Sequence, residues 1–128
     1  HKKADFGIET TLATRTLLKM IRIAQDEGYE VTLLYFWLNS PDLAVSRVRA
    51  RVEAGGHNIP EETIRRRYYV GISYLFKDYA PLCDRWILAD NSQVPFKVVA
   101  EGGRMRPLII RNQETYDIIK SIADEHEE

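Results

Sequence analysis

Residues 47–68, with the sequence RVRARVEAGGHNIPEETIRRRY, carry the side chains best suited to chemistry in this sequence of 128 residues. The stretch holds six arginines and one histidine around Gly55-Gly56. A planar guanidinium binds phosphoryl oxygens through paired hydrogen bonds, and a Gly-Gly pair can act as a hinge. The pattern therefore predicts a mobile lid whose arginines close over phosphate. In the alternative interpretation, several arginines are solvated or paired with neighbouring glutamates.

The spacing of these arginines limits how many can serve one ligand. Arg47 and Arg51 lie four residues apart and so share one face of a helix. Arg65, Arg66 and Arg67 fan over roughly 200°, because successive helical residues turn by about 100°. They cannot all point at the same ligand.

A second group of polar residues, Glu9-Thr10-Thr11, follows the first predicted strand. Ligands of open α/β sheets bind at the carboxyl ends of the strands. A carboxylate there can hold a magnesium ion through water or orient a substrate hydroxyl. The threonines can donate to a ligand, but capping of the next helix by Thr10 or Thr11 explains them equally well. Capping does not explain Glu9.

The elements around these residues predict an α/β fold. A strand over residues 5–10, a helix ending at Gly28 in a left-handed conformation, and the strand YEVTLLYFWL form a βαβ unit. The nearly unbroken apolar run of this last strand predicts that it is covered on both faces of a parallel sheet. Ser40 and Pro41 should begin a second helix that ends at Gly55-Gly56, and a third helix should run from Pro60 to Pro81. Residues 41–80 thus form the lid-like helix-loop-helix. The predicted remainder comprises the strands RWILAD, PFKVVAEG and RPLIIR, with a turn at Asn91-Ser92-Gln93, and a helix over residues 113–124.

Composition limits the class of protein. The length fits one domain, and 18 Lys+Arg against 19 Asp+Glu give a net charge of −1, which argues against a dedicated DNA-coating or membrane-surface protein. The sequence has no apolar run long enough for a membrane helix and no secretory signal, so we expect a cytoplasmic protein without a membrane partner. The single cysteine, Cys83, is expected to be a small buried residue. The first residue is His1, not Met, which predicts a piece of a longer protein.

Three segments resemble the zeta-toxin-like P-loop kinases, in particular their bacterial branch of predicted ATPases. They are FGIETTLATRT, VTLLYFWLNSPDLAVSRVRARVEAGGHNIPEETIRRRYYVG and LFKDYAPLCDRWILADNS, and the resemblance spans about residues 5–102. Its most specific part is GGHNIPEETIRRRY. The resemblance implies a P-loop-kinase-like parallel sheet with flanking helices and a helical lid, ATP with Mg²⁺, and phosphoryl transfer to a small hydroxyl-bearing acceptor. In the toxins this acceptor is UDP-N-acetylglucosamine, and an antitoxin protein is a partner.

The resemblance also assigns roles to residues. Glu9, Arg51, Arg66 and Arg67 are the candidate catalytic residues. Nucleotide contacts would come from Thr10, Thr11, Arg47, His57, Arg65 and Asn91.

The sequence departs from this family in one large respect. It contains no glycine-rich loop ending in Gly-Lys-Ser/Thr, the motif that cradles phosphates in such kinases. We therefore expect the carboxyl-terminal part of a kinase domain, without its first strand and phosphate loop, and inactive by itself. The alternative is a non-catalytic module that binds a nucleotide or a protein. Nucleic-acid binding by the arginine helices is the weakest alternative.

Overall fold

A computed structural model describes the backbone of residues 5–9 and all of residues 14–126. The chain is a mixed α/β protein, which confirms the predicted class. In chain order, the elements are β1 (Asp5–Glu9), α1 (Thr16–Asp26), β2 (Glu30–Trp37), α2 (Pro41–Glu53), α3 (Glu61–Tyr74), a π-helical turn (Leu75–Tyr79), β3 (Arg85–Asp90), β4 (Lys97–Gly103), β5 (Arg106–Ile110) and α4 (Gln113–Glu125).

The strands form one five-stranded sheet in the order β1-β2-β3-β4-β5. The pairs β1-β2 and β2-β3 are parallel, whereas β3-β4 and β4-β5 are antiparallel. The expected parallel sheet is therefore present only in its first three strands. The reason is connection length, because a parallel crossover needs about a dozen residues or more. Residues 91–96 and 104–105 are too short for one.

The core lies on one face of this sheet. Side chains of β2 alternate between buried and half-buried positions, as expected for a strand covered mainly on one side. Consecutive right-handed crossovers in the same direction along a sheet place their helices on the same face. The buried cluster accordingly joins Val31, Leu33, Tyr35 and Trp37 of β2 to Ile21 of α1, Ile72 of α3, Leu75 and Tyr79 of the π-helical turn, and Ile119 of α4.

Several helix boundaries follow directly from local sequence. Ser40 Oγ accepts a hydrogen bond from Leu43 N at 3.1 Å, and Pro41 is the first residue of α2, as predicted. Gly28 has φ +94°, which confirms the left-handed position after α1. The predicted cap of α1 at Thr10 or Thr11 is wrong, because α1 begins at Thr16.

The helix-loop-helix arrangement predicted over residues 41–80 is present, but its last part belongs to the core. Ile72 and Tyr79 are fully buried and Leu75 is nearly so. The helix does not stop at Tyr74, because Ala80 N donates to Leu75 O at 2.8 Å and closes the π-helical turn. The last part of the predicted lid, from Ile72 to Tyr79, is therefore part of the core.

Cys83 is fully buried, and burial raises the pKa of its thiol to about 12. This confirms the expectation of a small buried residue. Among the helices of the described part of the chain, none combines the length and the apolar character needed to cross a bilayer.

Candidate functional site

A cavity of about 630 Å³ opens at the carboxyl ends of β2 and β3, between α2 and α3. This is the edge at which α/β sheets bind ligands. The lining combines apolar, aromatic and cationic side chains. They include Tyr35, Phe36, Trp37, Leu38, Ala44, Arg47, Val48, Ala50, Arg51, Ile59, Ile64, Arg67, Tyr68 and Asn91.

Hydrogen bonds between the two strand ends hold this edge of the sheet together. Asn91 N donates to Trp37 O at 2.8 Å, and Asn39 N donates to Ser92 Oγ at 2.9 Å. Ser92 in turn donates from its N and its Oγ to Asp90 Oδ1, at 2.9 and 2.6 Å. The backbone carbonyls of Asn91 and Ser92 are thereby fixed toward α2.

Arg47 connects α2 to those carbonyls. Its Nη1 donates to Asn91 O at 2.6 Å and its Nη2 donates to Ser92 O at 3.2 Å. Arg47 is half-buried, and both terminal nitrogens of its guanidinium bond to protein. The structure thus gives Arg47 a positioning role, and it brings Asn91 to the cavity through the same contact.

Arg51 and Arg67 line the cavity from two different helices, α2 and α3. Both side chains are exposed, and neither has an ion-pair or hydrogen-bond partner among the described residues. None of the described lining residues is a carboxylate that could neutralise them. Of the arginines predicted to contact phosphate, these two are the ones that the structure leaves available to an anion at the cavity.

The other lid residues predicted to bind or act on the nucleotide lie elsewhere. Arg65 donates to Asp42 Oδ1 at 2.6 Å and to Glu61 Oε2 at 3.0 Å, hydrogen bonds that raise its pKa, and it faces a separate groove. Arg66 and His57 are exposed and line neither the cavity nor this groove. Of the three arginines on α3, Arg65 therefore lines the groove, Arg67 lines the cavity, and Arg66 lines neither.

The Gly-Gly pair has a structural role of its own. Gly55 has φ +103°, and Gly55 N donates to Val52 O at 3.0 Å. Gly56 N donates to Arg51 O at 2.7 Å. This is the hydrogen-bond pattern of a helix terminated by glycine, so both glycines are explained by the end of α2 without a hinge.

The predicted residues at the first strand are only partly described. In the β1-β2 register the backbone of Glu9 pairs with Leu34, which places Glu9 at the carboxyl edge of the sheet, one strand from the cavity. Its side chain, and all of Thr10 and Thr11, lie outside the described residues.

Three aromatic residues at the cavity were not among the sequence candidates. Tyr68 donates from its hydroxyl to Leu38 O at 2.6 Å. Burial raises the pKa of Tyr68 to about 12, although the nearby indole of Trp37 opposes this shift. Tyr35 is 5% exposed and Trp37 is 4% exposed. Their position at the carboxyl end of β2 is the sequence signal that could have identified them.

Tyr35 and Trp37 each carry a polar group for which the described residues provide no hydrogen bond of standard geometry. The Tyr35 hydroxyl makes no hydrogen bond with any described residue, and burial raises its pKa well above the ordinary value. The Nε1 of Trp37 is buried and does not meet hydrogen-bond geometry with any described atom, the Tyr68 oxygen included. Most buried polar side-chain atoms in proteins do have a partner, so Trp37 Nε1 is an exception among the described residues.

The described residues do not form a magnesium site at this cavity. Its lining contains no carboxylate, and no group of three or more His, Cys, Asp or Glu side chains converges within the described ranges. Hard cations such as Mg²⁺ require oxygen ligands, chiefly carboxylates and water. The arginines, by contrast, suit phosphate oxygens.

Part of the chain is similar to a known protein. No family model matches the chain, and no solved structure matches it. A protein of Haemophilus influenzae described as "Uncharacterized protein" is 33% identical over 63 residues, which cover 49% of this chain and 45% of that protein. The matched region is therefore less than half the length of that relative.

Proposed function

We propose that the protein containing this chain transfers the γ-phosphoryl group of ATP to a small hydroxyl-bearing acceptor, such as a UDP-sugar. The observation that carries this proposal is the pair Arg51 and Arg67. The two arginines line one cavity from separate helices, at the carboxyl edge of the sheet, and have no ion-pair or hydrogen-bond partner among the described residues. The kinase resemblance of the same segments supplies the reaction class.

The arginines at the cavity would have two different roles, phosphate binding and positioning. Phosphoryl transfer depends mainly on positioning and on stabilisation of charge at the phosphoryl oxygens. Arg51 and Arg67 would bind those oxygens, while Arg47 holds α2 against the strand ends. Because the described residues offer no magnesium ligands at the cavity, we assign no step to the metal.

A second function is favoured by a specific feature of the sequence. The 128 residues contain no Gly-Lys-Ser/Thr loop, so this chain lacks the backbone amides and lysine that such kinases use on the β- and γ-phosphates. A module that binds a phosphorylated ligand without catalysis would need only the arginine-lined cavity.

The test begins with the reading frame that encodes this chain. A Gly-Lys-Ser/Thr motif before His1 is expected, and the complete protein should release or transfer the γ-phosphate of ATP. We expect Arg67→Ala to reduce turnover by about 10³-fold, as for arginines that stabilise the transferred group. Arg66→Ala is the matched control, since it removes the same charge from the adjacent residue, which lines neither the cavity nor the groove beside Arg65.

The outcomes separate the two functions. Equal turnover of the Arg67→Ala and Arg66→Ala proteins would show that the cavity is not the phosphoryl-transfer site. Micromolar ATP affinity of residues 1–128 alone, measured by calorimetry, would favour the binding module over the kinase fragment. Millimolar affinity is the result expected for the fragment.

A further inference from the structure

The sheet has two faces, and the described helices pack on only one of them. The buried core cluster takes alternate side chains of β2 and joins them to α1, α3 and α4. The side chains between those positions point to the opposite side of the sheet, which we call the open face. Apolar side chains of the open face lie outside the core cluster and do not pack against it; they are Leu34, Phe36, Ile87, Val98 and Ile109.

The open face is continuous across the strands. In the register, Leu34 pairs with Ile87, which pairs with Glu101, and Glu101 pairs with Ile109. Beside this row, the rings of Phe36 and Phe96 are in contact, with their centroids 5.1 Å apart. Phe96 is 46% exposed and Ile109 is 39% exposed. Parallel strands occur almost only in sheets that are covered on both faces, so β1 to β3 favour a cover on this side as well.

Charged residues are distributed unequally over the open face. Near β5, Glu101 accepts hydrogen bonds from Nη2 of Arg85 and from Nη2 of Arg111, each at 3.3 Å, so two arginines share one carboxylate. On the other side, the β1-β2 register assigns three acidic positions to this face, Asp5, Glu9 and Glu30. Four strand spacings of about 4.8 Å separate β1 from β5, a distance of roughly 19 Å. The open face is therefore acidic near β1, apolar in the middle and richer in arginine near β5.

We propose that the open face packs against the open face of a second copy of this chain. A two-fold axis parallel to the strands places β1 of each copy over β5 of the other. This arrangement brings the acidic side over the arginine-rich side twice and joins the two apolar centres. Two sheets packed in this way lie about 10 Å apart with their strands roughly aligned. The inference does not depend on the proposed function.

The size of the open face sets the expected strength of the dimer. Five strands about 4.8 Å apart, each with about five residues of 3.3 Å, cover roughly 24 Å by 17 Å, or about 400 Å². A stable interface of standard size buries about 800 Å² of accessible surface on each partner. The open face is smaller, so we expect a reversible dimer with a Kd of about 10–100 µM.

Sedimentation equilibrium of the 128-residue chain over about 5–500 µM measures this association. The apparent mass should rise with concentration from 14.9 kDa toward twice that value. Ile109→Lys places a charge in the apolar centre of the interface and should raise the Kd at least about tenfold. Leu108→Lys is the matched control, because Leu108 is the neighbouring residue of β5, is 51% exposed and points to the helix side of the sheet. Its Kd should stay within about twofold of wild type.

A charge reversal tests the orientation of the two copies. Arg111→Glu places a carboxylate opposite the acidic side of the other copy and should raise the Kd by about tenfold. Arg66→Glu, on an exposed residue of α3, makes the same change on the helix side and should leave the Kd unchanged. Circular dichroism of each variant at the lowest concentration verifies that its fold is intact.

Three results would overturn the inference. A chain that remains monomeric at about 500 µM would show that the open face does not bind a second copy and is left to another partner. Equal weakening by Leu108→Lys and Ile109→Lys would assign the dimer to the edge of β5. A dimer that is insensitive to Arg111→Glu would refute the pairing of the acidic and arginine-rich sides.

Discussion

One carboxylate joins three parts of the fold, and its removal should therefore be costly. Asp84 lies just before β3, and its side chain is 15% exposed. Its Oδ2 accepts hydrogen bonds from Val31 N at 2.8 Å and from Gln25 Nε2 at 3.1 Å, while its Oδ1 accepts from Arg104 Nε at 3.0 Å. Helix α1, the start of β2 and the β4-β5 turn thus meet at this residue.

Asp84→Asn keeps the shape of the side chain but removes its charge and one acceptor oxygen. A hydrogen bond to a charged group contributes about 1.5–3 kcal/mol, and the exposed Arg104 pair contributes roughly 0–1 kcal/mol. We therefore expect a loss of about 2–4 kcal/mol in the free energy of unfolding at pH 7, with Tm lower by roughly 4 °C per kcal/mol. Asp124→Asn, at an exposed ion pair with Lys120, should change stability by less than about 0.5 kcal/mol.

The effect should depend on pH in a defined direction. Partial burial of Asp84 raises its pKa, but the hydrogen bonds from Val31 N, Gln25 and Arg104 outweigh it, so the pKa lies below the ordinary 3.8. A group with a lowered pKa in the folded state contributes its full stability above the unfolded value and loses it as pH falls through the folded value. The difference between wild type and Asp84→Asn should therefore be complete at pH 7 and shrink below about pH 4.

Urea unfolding followed by far-ultraviolet circular dichroism at pH 7, 5 and 3 measures this difference. A loss under about 0.5 kcal/mol at pH 7 would show that the three hydrogen bonds do not stabilise the fold. A loss of the expected size that stays constant down to pH 3 would show that the charge is not responsible.

Two further predictions concern the tyrosines and the loop. Tyr79→Phe removes the hydrogen bond to Thr14 O and should lower the free energy of unfolding by about 1 kcal/mol. Tyr35→Phe removes a hydroxyl without a hydrogen-bond partner among the described residues, so the free energy of unfolding should stay unchanged or rise. Equal losses of stability in thermal unfolding would contradict this difference between the two hydroxyls. In hydrogen exchange, the amides of residues 57–59 have no backbone acceptor among the described residues and should exchange faster than those of β2, so equal protection would argue against a mobile loop.

Features that depend on neighbouring residues could be predicted from the sequence. Ser40 and Pro41 at the start of α2 and Gly28 after α1 follow from chemistry within a few residues, and the structure confirms all three. The apolar run of β2 likewise identified a strand, but the predicted cover on both faces is wrong, because every second side chain is only half-buried. The antiparallel direction of β4 and β5 was not predicted, because it follows from the short connections at residues 91–96 and 104–105, whereas the family resemblance implies a parallel sheet.

The candidate site shows where local information ends. Spacing established that Arg65, Arg66 and Arg67 point in different directions, but which one faces the cavity depends on the rotation of α3, set by the packing of Ile64 and Ile72. Tyr35 fits the alternation of a buried strand, which predicts a core residue. Whether its hydroxyl finds a partner is decided by side chains distant in the sequence, so no pattern within β2 could have shown it.

The hydrogen bonds of Arg47 limit the movement of α2 relative to the sheet. Because Arg47 holds α2 to the carbonyls of Asn91 and Ser92, α2 is fixed against the ends of the strands. The backbone of Arg51, one turn further along α2, therefore keeps its position relative to the sheet. The ion pairs between α3 and α2, such as Arg49 to Glu61, are exposed and contribute little to holding the helices together. Helix α3 is also tied to the sheet, because Tyr68 donates to Leu38 O at 2.6 Å. In the proposed function, the gap between the two cavity arginines, Arg51 and Arg67, would therefore be adjusted by their exposed side chains.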